Sequence, residues 1–201
     1  MLFRSDDATV IFADVVGFGK ITARMKAYEV VACLSELFSE FDKLAEDVGI
    51  EKIKTIGDNY MAVAGVPRPR SNHARMATKF ALDMVTATGR LRSRLPAPFT
   101  IRVGLHSGAV MAGVIGTRKF AYDVWGDTVN IAARMEAASQ PNRVLASAAT
   151  VKALGSDYAL ERPAQDRHQG RPHAGDVLCK PSSLMMPRRC RPPIDEVQNV
   201  G

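Results

Sequence analysis

The chain has 201 residues, 46% of them hydrophobic and 24% charged. That suffices for one globular domain and excludes both a wholly disordered chain and a coiled coil. The net charge is +6, but the basic residues are scattered and only 6% of residues are aromatic, so no nucleic-acid partner is expected.

In chain order, Thr9 to Ala13 predicts a strand, followed by a glycine loop at Gly17 and Gly19. A helical segment then runs to about Val48, with Val30, Leu34, Leu37, Phe38, Phe41 and Leu44 at helical spacing. Glu51 to Ile56 and Tyr60 to Ala64 read as two strands joined tightly through Gly57-Asp58. Met76, Ala77, Phe80, Ala81, Met84, Val85 and Thr88 stripe a second helix. Phe99, Ile101, Val103 and Leu105 alternate as a half-buried strand, and Ala109 to Ile115 reads as its hairpin partner. Phe120 to Val124 predicts a short strand and Thr128 to Ala138 a helix with Asp127 as N-cap. Val144 to Ala146 and Ala148 to Leu154 close the pattern as a strand and a short helix. Strand pairs beside single helices indicate an α+β sandwich, a largely antiparallel sheet with helices on one face.

Residues 1–160 therefore read as one folded domain, and 161–201 as an atypical Pro-rich, irregular tail. The tail holds six of the 11 prolines, two of the three cysteines and no Phe, Tyr or Trp. Cys33, Cys179 and Cys190 have neither disulfide-scaffold nor metal-ligand spacing. No apolar run reaches the ~20 residues of a membrane helix, and Arg4, Asp6 and Asp7 stand where a signal peptide would be apolar, so a cytoplasmic setting is expected.

Several polar groups stand where chemistry could be done. Asp14 follows an apolar strand, and Asp58 sits at a hairpin tip. If the two are adjacent, such carboxylates could hold Mg²⁺ ions against a triphosphate. Each alone is an ordinary strand-end or turn residue. Val15-Val16-Gly17-Phe18-Gly19-Lys20 runs into a helix start whose backbone N–H groups could cradle phosphate, although the Gly-Lys-Ser/Thr of a P-loop is missing. Asn130 and Arg134 are four apart, hence on one helix face. An amide beside a guanidinium suits an ether oxygen and a phosphate, though a solvated face would look the same. Lys54 and Asp123 could converge on a purine. Asp accepts from the exocyclic amine of adenine and Lys donates to ring N1, whereas guanine reverses both. A surface ion pair is the plainer alternative.

In this order, these residues resemble the catalytic domain of class III nucleotidyl cyclases. The resemblance is carried by Val10-Ile11-Phe12-Ala13-Asp14-Val15-Val16-Gly17-Phe18 and Lys52-Ile53-Lys54-Thr55-Ile56-Gly57-Asp58. It continues through Ile101-Arg102-Val103-Gly104-Leu105-His106-Ser107-Gly108 and the stretch Tyr122 to Met135, covering roughly 8–160. It implies a ferredoxin-like βαββαβ core related to the polymerase palm. It also implies a head-to-tail homodimer with active sites at the interface and two Mg²⁺ or Mn²⁺ ions per site. By resemblance, Asp14, Asp58 and the backbone carbonyl of Val15 hold the metals, while Gly17 and Phe18 lie against the substrate. Lys54 and Asp123 specify adenine, Arg102 contacts the triphosphate, and Asn130 and Arg134 act on the transition state. The implied reaction converts ATP to 3′,5′-cyclic AMP and diphosphate. Lys54 and Asp123 argue against a guanylate cyclase, which usually carries Glu and Cys or Ser there.

The resemblance breaks in two places. Gly19 replaces a frequent Thr, a minor change. After Tyr158-Ala159-Leu160-Glu161-Arg162, an alternating strand ending in Lys-Gly is expected, but the chain reads Pro163-Ala164-Gln165-Asp166-Arg167-His168-Gln169-Gly170 and has no Lys before Lys180. Codons for Gln165 to Gly170, read one base later, permit Arg-Ile-Asp-Ile-Lys-Gly, so the tail can be a frameshifted product. Either way, an unprotected sheet edge and a lost phosphate-binding lysine are expected. That leaves a catalytically impaired or dead cyclase-like domain as the alternative to an active enzyme.

Overall fold

The apolar run around Ile11 lies within a longer strand, β1 (Leu2–Val15), at the middle of the sheet. The structure, a computed structural model, describes residues 2–95, 97–116, 118, 120–155, 158, 161 and 177–179. Along β1, Ile11, Ala13 and Val15 enter one apolar cluster, whereas Ala8, Val10 and Phe12 enter another. Both faces of this strand are covered, which is why it reads as continuous apolar sequence rather than as an alternation.

The glycine loop leads through a five-residue helix, α1 (Phe18–Thr22), into α2 (Ala27–Val48). Cys33, Leu37, Phe41 and Ala45 recur every four residues and are buried. Gly49, at φ +78°, ends α2 by returning its N–H to the carbonyl of Ala45, a left-handed cap that favours glycine. Strands β2 (Glu51–Ile56) and β3 (Asn59–Ala64) form a hairpin closed by Gly57 (φ +63°) and Asp58. Next come α3 (His73–Leu91) and β4 (Ile101–Ile115). β5 (Ala121–Trp125), α4 (Asp127–Ala138), β6 (Val144–Ala146), α5 (Ala148–Leu154) and β7 (Val177–Cys179) complete the described chain.

The sheet order is β2-β3-β1-β4-β6-β7, with β5 paired to β4 as well. From β1 to β4 this is the expected βαββαβ core, with antiparallel pairs β2/β3, β3/β1 and β1/β4. β6 runs parallel to β4, and β7 runs antiparallel to β6. Rings of Phe38, Phe41, Tyr60 and Phe80 stack at 5.5–6.4 Å between α2, α3 and the sheet.

Four expectations change. The two segments read as a hairpin, Phe99–Leu105 and Ala109–Ile115, run from Ile101 as one strand, β4. Gly108 does not turn the chain. A Cβ there would lie 2.8 Å from Thr128 Oγ1, so this glycine accommodates α4. The helices occupy both faces: α2 and α3 cover the Ile11 side, whereas Ala132 of α4 packs with Val10 and Phe12 on the other. Gly104 explains the second layer, because a Cβ there would stand 2.0 Å from the backbone nitrogen of Glu136. The N-cap of α4 is Gly126 (φ +137°), and Asp127 is its first helical residue, where its charge still favours the helix N-terminus. Finally, β7 lies along β6, so the edge expected to be unprotected is covered by part of the tail. The stretch 163–176, its codon reading and Lys180 lie outside the described residues.

One irregularity interrupts the central ladder. The β1/β4 register shifts between Ser5 and Ala8, and beyond it β4 pairs with β5. Tyr122 and Val124 of β5 then pack in the same cluster as Ile53 of β2. Strands separated in the sheet order thus meet.

Candidate active site

Asp14, next to last in β1, pairs in register with Arg102 of β4. Its neighbour Ala13 pairs with Tyr60, and Asn59 pairs with Ile56 across the hairpin turn. Asp58 is therefore held at the same end of the sheet as Asp14, near enough for the two carboxyl groups to act on each other electrostatically. Burial, followed by the charge of Asp14, pushes the Asp58 carboxyl above its ordinary value.

Arg102 joins this pair to α4. Its Nη2 donates to Asp14 Oδ2 at 3.0 Å, and its Nη1 donates to the carbonyl of Ala137 at 3.4 Å. Its Nε lies 2.5 Å from Glu136 Oε1 but without hydrogen-bond alignment, so that contact is ionic. Glu136 is 6% exposed. Burial pushes its carboxyl up to about 7, against the opposing pull of Arg102 and with a further push from Asp14. Sequence reading missed Glu136. The available signal is a charge four residues after the buried Ala132, on the side that α4 turns to the sheet.

A second pair forms where β2 meets β5. Lys54 Nζ donates to Asp123 Oδ2 at 2.5 Å, and Asp123 Oδ1 accepts from the Val124 N–H at 2.8 Å. Asp123 is held by its own strand, while Lys54 stands on the strand that ends at the Asp58 turn. The adenine pair inferred from sequence is therefore in contact within one chain.

Asn130 and Arg134 are exposed, on the side of α4 away from the buried Thr128, Ala132, Met135 and Glu136. Gly17 has φ +70° and precedes α1. Phe18 is half-buried, with its ring 6.4 Å from that of Phe99. The Val15 side chain is buried in the core while its backbone pairs with Ile101.

Among the described residues, no group of three or more His, Cys, Asp or Glu could hold a metal ion. Magnesium needs less, one or two carboxylates completed by phosphate oxygens and water. Asp14 and Asp58 fit that requirement, since a cation would offset both the burial of Asp58 and the repulsion from the neighbouring Asp14 charge. No described helix is long and apolar enough to cross a membrane.

Residues 2–177 match the family described as the adenylate and guanylate cyclase catalytic domain. An adenylate cyclase of Mycobacterium tuberculosis is 43% identical over 155 residues, 77% of this chain and 35% of that protein. Adenylate cyclase type 9 of Gallus gallus is 38% identical over 173 residues, 86% of this chain and 13% of that protein. The chain thus spans about a third or less of the curated relatives it matches. Among solved structures, the catalytic core of a rhodopsin-guanylyl cyclase with converted specificity, in complex with ATPαS, superposes with a TM-score of 0.80 at 31% identity. That alignment covers 89% of this chain and 97% of the other. With its βαββαβ core, its paired strand-end carboxylates and these relatives, the chain belongs to the adenylate and guanylate cyclase catalytic domain family.

Proposed function

We propose that this chain is an adenylate cyclase, converting ATP to 3′,5′-cyclic AMP and diphosphate as a head-to-tail homodimer. The observation that carries the substrate choice is the contact between Lys54 and Asp123. Adenine offers an amine to Asp123 and an acceptor nitrogen to Lys54. Guanine offers the reverse and would leave both groups unpaired in a closed site. A relative in the family with converted specificity binds ATPαS.

Asp14 and Asp58, with the backbone carbonyl of Val15, would hold Mg²⁺ or Mn²⁺. A divalent ion there lowers the cost of forming the ribose 3′-oxyanion and offsets phosphate charge. The chain's own groups supply position and electrostatics. Gly17 and Phe18 present backbone N–H groups towards the phosphates, and Arg102 adds a cation to the triphosphate. Asn130 orients the ribose. Arg134 faces the charge that develops on the α-phosphate as the 3′-oxygen attacks in line and diphosphate leaves. Asn130 and Arg134 are exposed on α4, on the side away from the one their own chain buries. This supports a site completed by a twin molecule, with two equivalent sites per dimer.

Purified protein is incubated with ATP or GTP and Mn²⁺, and cyclic nucleotide is measured. Cyclic AMP from ATP, dependent on protein concentration as dimerisation requires, supports the reading. Cyclic GMP from GTP in excess overturns the base assignment. No product from either nucleotide leaves a nucleotide-binding module, the impaired alternative.

A further inference from the structure

We propose that Glu136 is a positioning residue of this site. It shares the Arg102 guanidinium with Asp14, so that Arg102 engages Oδ2 of Asp14 and the rest of that carboxylate is left to a divalent cation. The proposal rests on the reading of Asp14 as a cation ligand.

The geometry starts with the backbone. Arg102 and Gly104 are two apart on β4, so both face α4, and α4 presses on the strand because residue 104 has no Cβ. The backbone of Glu136 sits at that point of closest approach, which fixes where its side chain starts. Its oxygen meets Nε of Arg102 on one side of the guanidinium, while Asp14 meets Nη2 on the other. Ala137 accepts from Nη1. The arginine is thus stretched between the strand end and the helix.

The energetics argue against a merely packing role. A buried carboxylate is costly, and a hydrophobe of similar size would fill this place at less cost. What the carboxylate alone provides is a second anion for Arg102. The charged groups around Glu136 are Arg102 from β4, Asp14 from β1 and Asp58 from the β2–β3 turn. Three carboxyl groups share one guanidinium. Remove Glu136, and Arg102, no longer drawn towards α4, closes on both oxygens of Asp14 instead of the one it now meets, and competes with any cation for them.

The experiment measures Mn²⁺ binding to the nucleotide-free protein by electron paramagnetic resonance, alongside cyclic AMP formation. Wild type, Glu136→Gln, Glu136→Asp, Arg102→Ala and the double variant Arg102→Ala/Glu136→Gln are compared. Glu136→Gln is expected to weaken Mn²⁺ binding by about three- to tenfold, and the same substitution in the Arg102→Ala background by less than about twofold. The apparent KM for Mn²⁺ rises more than kcat falls, and Glu136→Asp, which keeps the charge, binds Mn²⁺ more tightly than Glu136→Gln. Equal affinity in wild type and Glu136→Gln overturns the proposal. So does an equal loss in both backgrounds, which would mark simple removal of a nearby charge. Coupling without any cyclic AMP overturns the cyclase reading and keeps the role of Glu136, whereas cyclic AMP without coupling does the opposite.

Discussion

Arg102 Nη2 stands 3.0 Å from Asp14 Oδ2, across a register pair that joins the two central strands. The arginine expected to meet the triphosphate and the carboxylate expected to meet the metal are therefore partners within one chain. The same guanidinium reaches Glu136 and Ala137 of α4, the helix that also carries Asn130 and Arg134. One side chain ties the sheet end that carries Asp14 and Asp58 to the helix that carries Asn130 and Arg134.

Arg134→Ala should remove the group that answers charge on the α-phosphate. Cyclic AMP formation is expected to fall by about 10³-fold, the scale of one fixed transition-state arginine. Because Arg134 is exposed, the melting temperature should stay close to that of wild type. An unchanged turnover rate rejects its role.

Lys54→Glu with Asp123→Cys replaces the contact between β2 and β5 by groups that suit guanine. ATP turnover should drop by about tenfold or more relative to GTP, since a polar site leaves the wrong base unpaired. The ratio of kcat/KM values for the two nucleotides is the measurement. An unaltered preference for ATP means that base selection lies elsewhere.

Gly104→Ala places a Cβ 2.0 Å from the Glu136 nitrogen and 2.6 Å from its Cα. Backbone, not a flexible side-chain end, would have to give way. A loss of about 3 kcal/mol or more is expected in urea unfolding, the high end of overpacking. Gly19→Ala is the control: nothing lies within 4 Å of its Cβ, and its φ is not in the left-handed range. That variant should unfold within about 0.5 kcal/mol of wild type. Equal stability of the two variants would mean that α4 does not press on β4.

Glu136 makes stability depend on pH. Its carboxyl titrates at about 7 in the fold and near 4.5 without it, so the folded chain binds this proton more tightly. The resulting stabilisation is complete below pH 4.5 and is lost as pH rises through 7, a change on the order of 3 kcal/mol. Glu136→Gln, which cannot ionise, should lack this slope. Between pH 4 and pH 8, the unfolding free energy of wild type relative to the variant should therefore fall. Parallel curves would show that Glu136 carries its charge at no cost.

Sequence alone made the core topology legible and singled out the candidate residues. Asp14 at a strand end, Asp58 in a two-residue turn, and Asn130 with Arg134 on one helical face are local patterns, set by residues within a few positions of one another. The βαββαβ order is local in the same sense, because each period of 2 or 3.6 is written in its own segment. What folding alone decided is non-local. Gly108 looks like a turn residue and Gly104 like an ordinary strand position until α4 is seen lying on both, and a helix layer on the second face cannot be read from the periodicity of any one segment. The meeting of Lys54 with Asp123 joins β2 to β5, strands separated by β3, β1 and β4 in the sheet and 69 positions apart in the chain. Glu136 drew no notice as one charge in a helix. Its burial against Arg102 arises only where two elements 34 positions apart are pressed together, and there its solvation, charge and partner are all fixed at once.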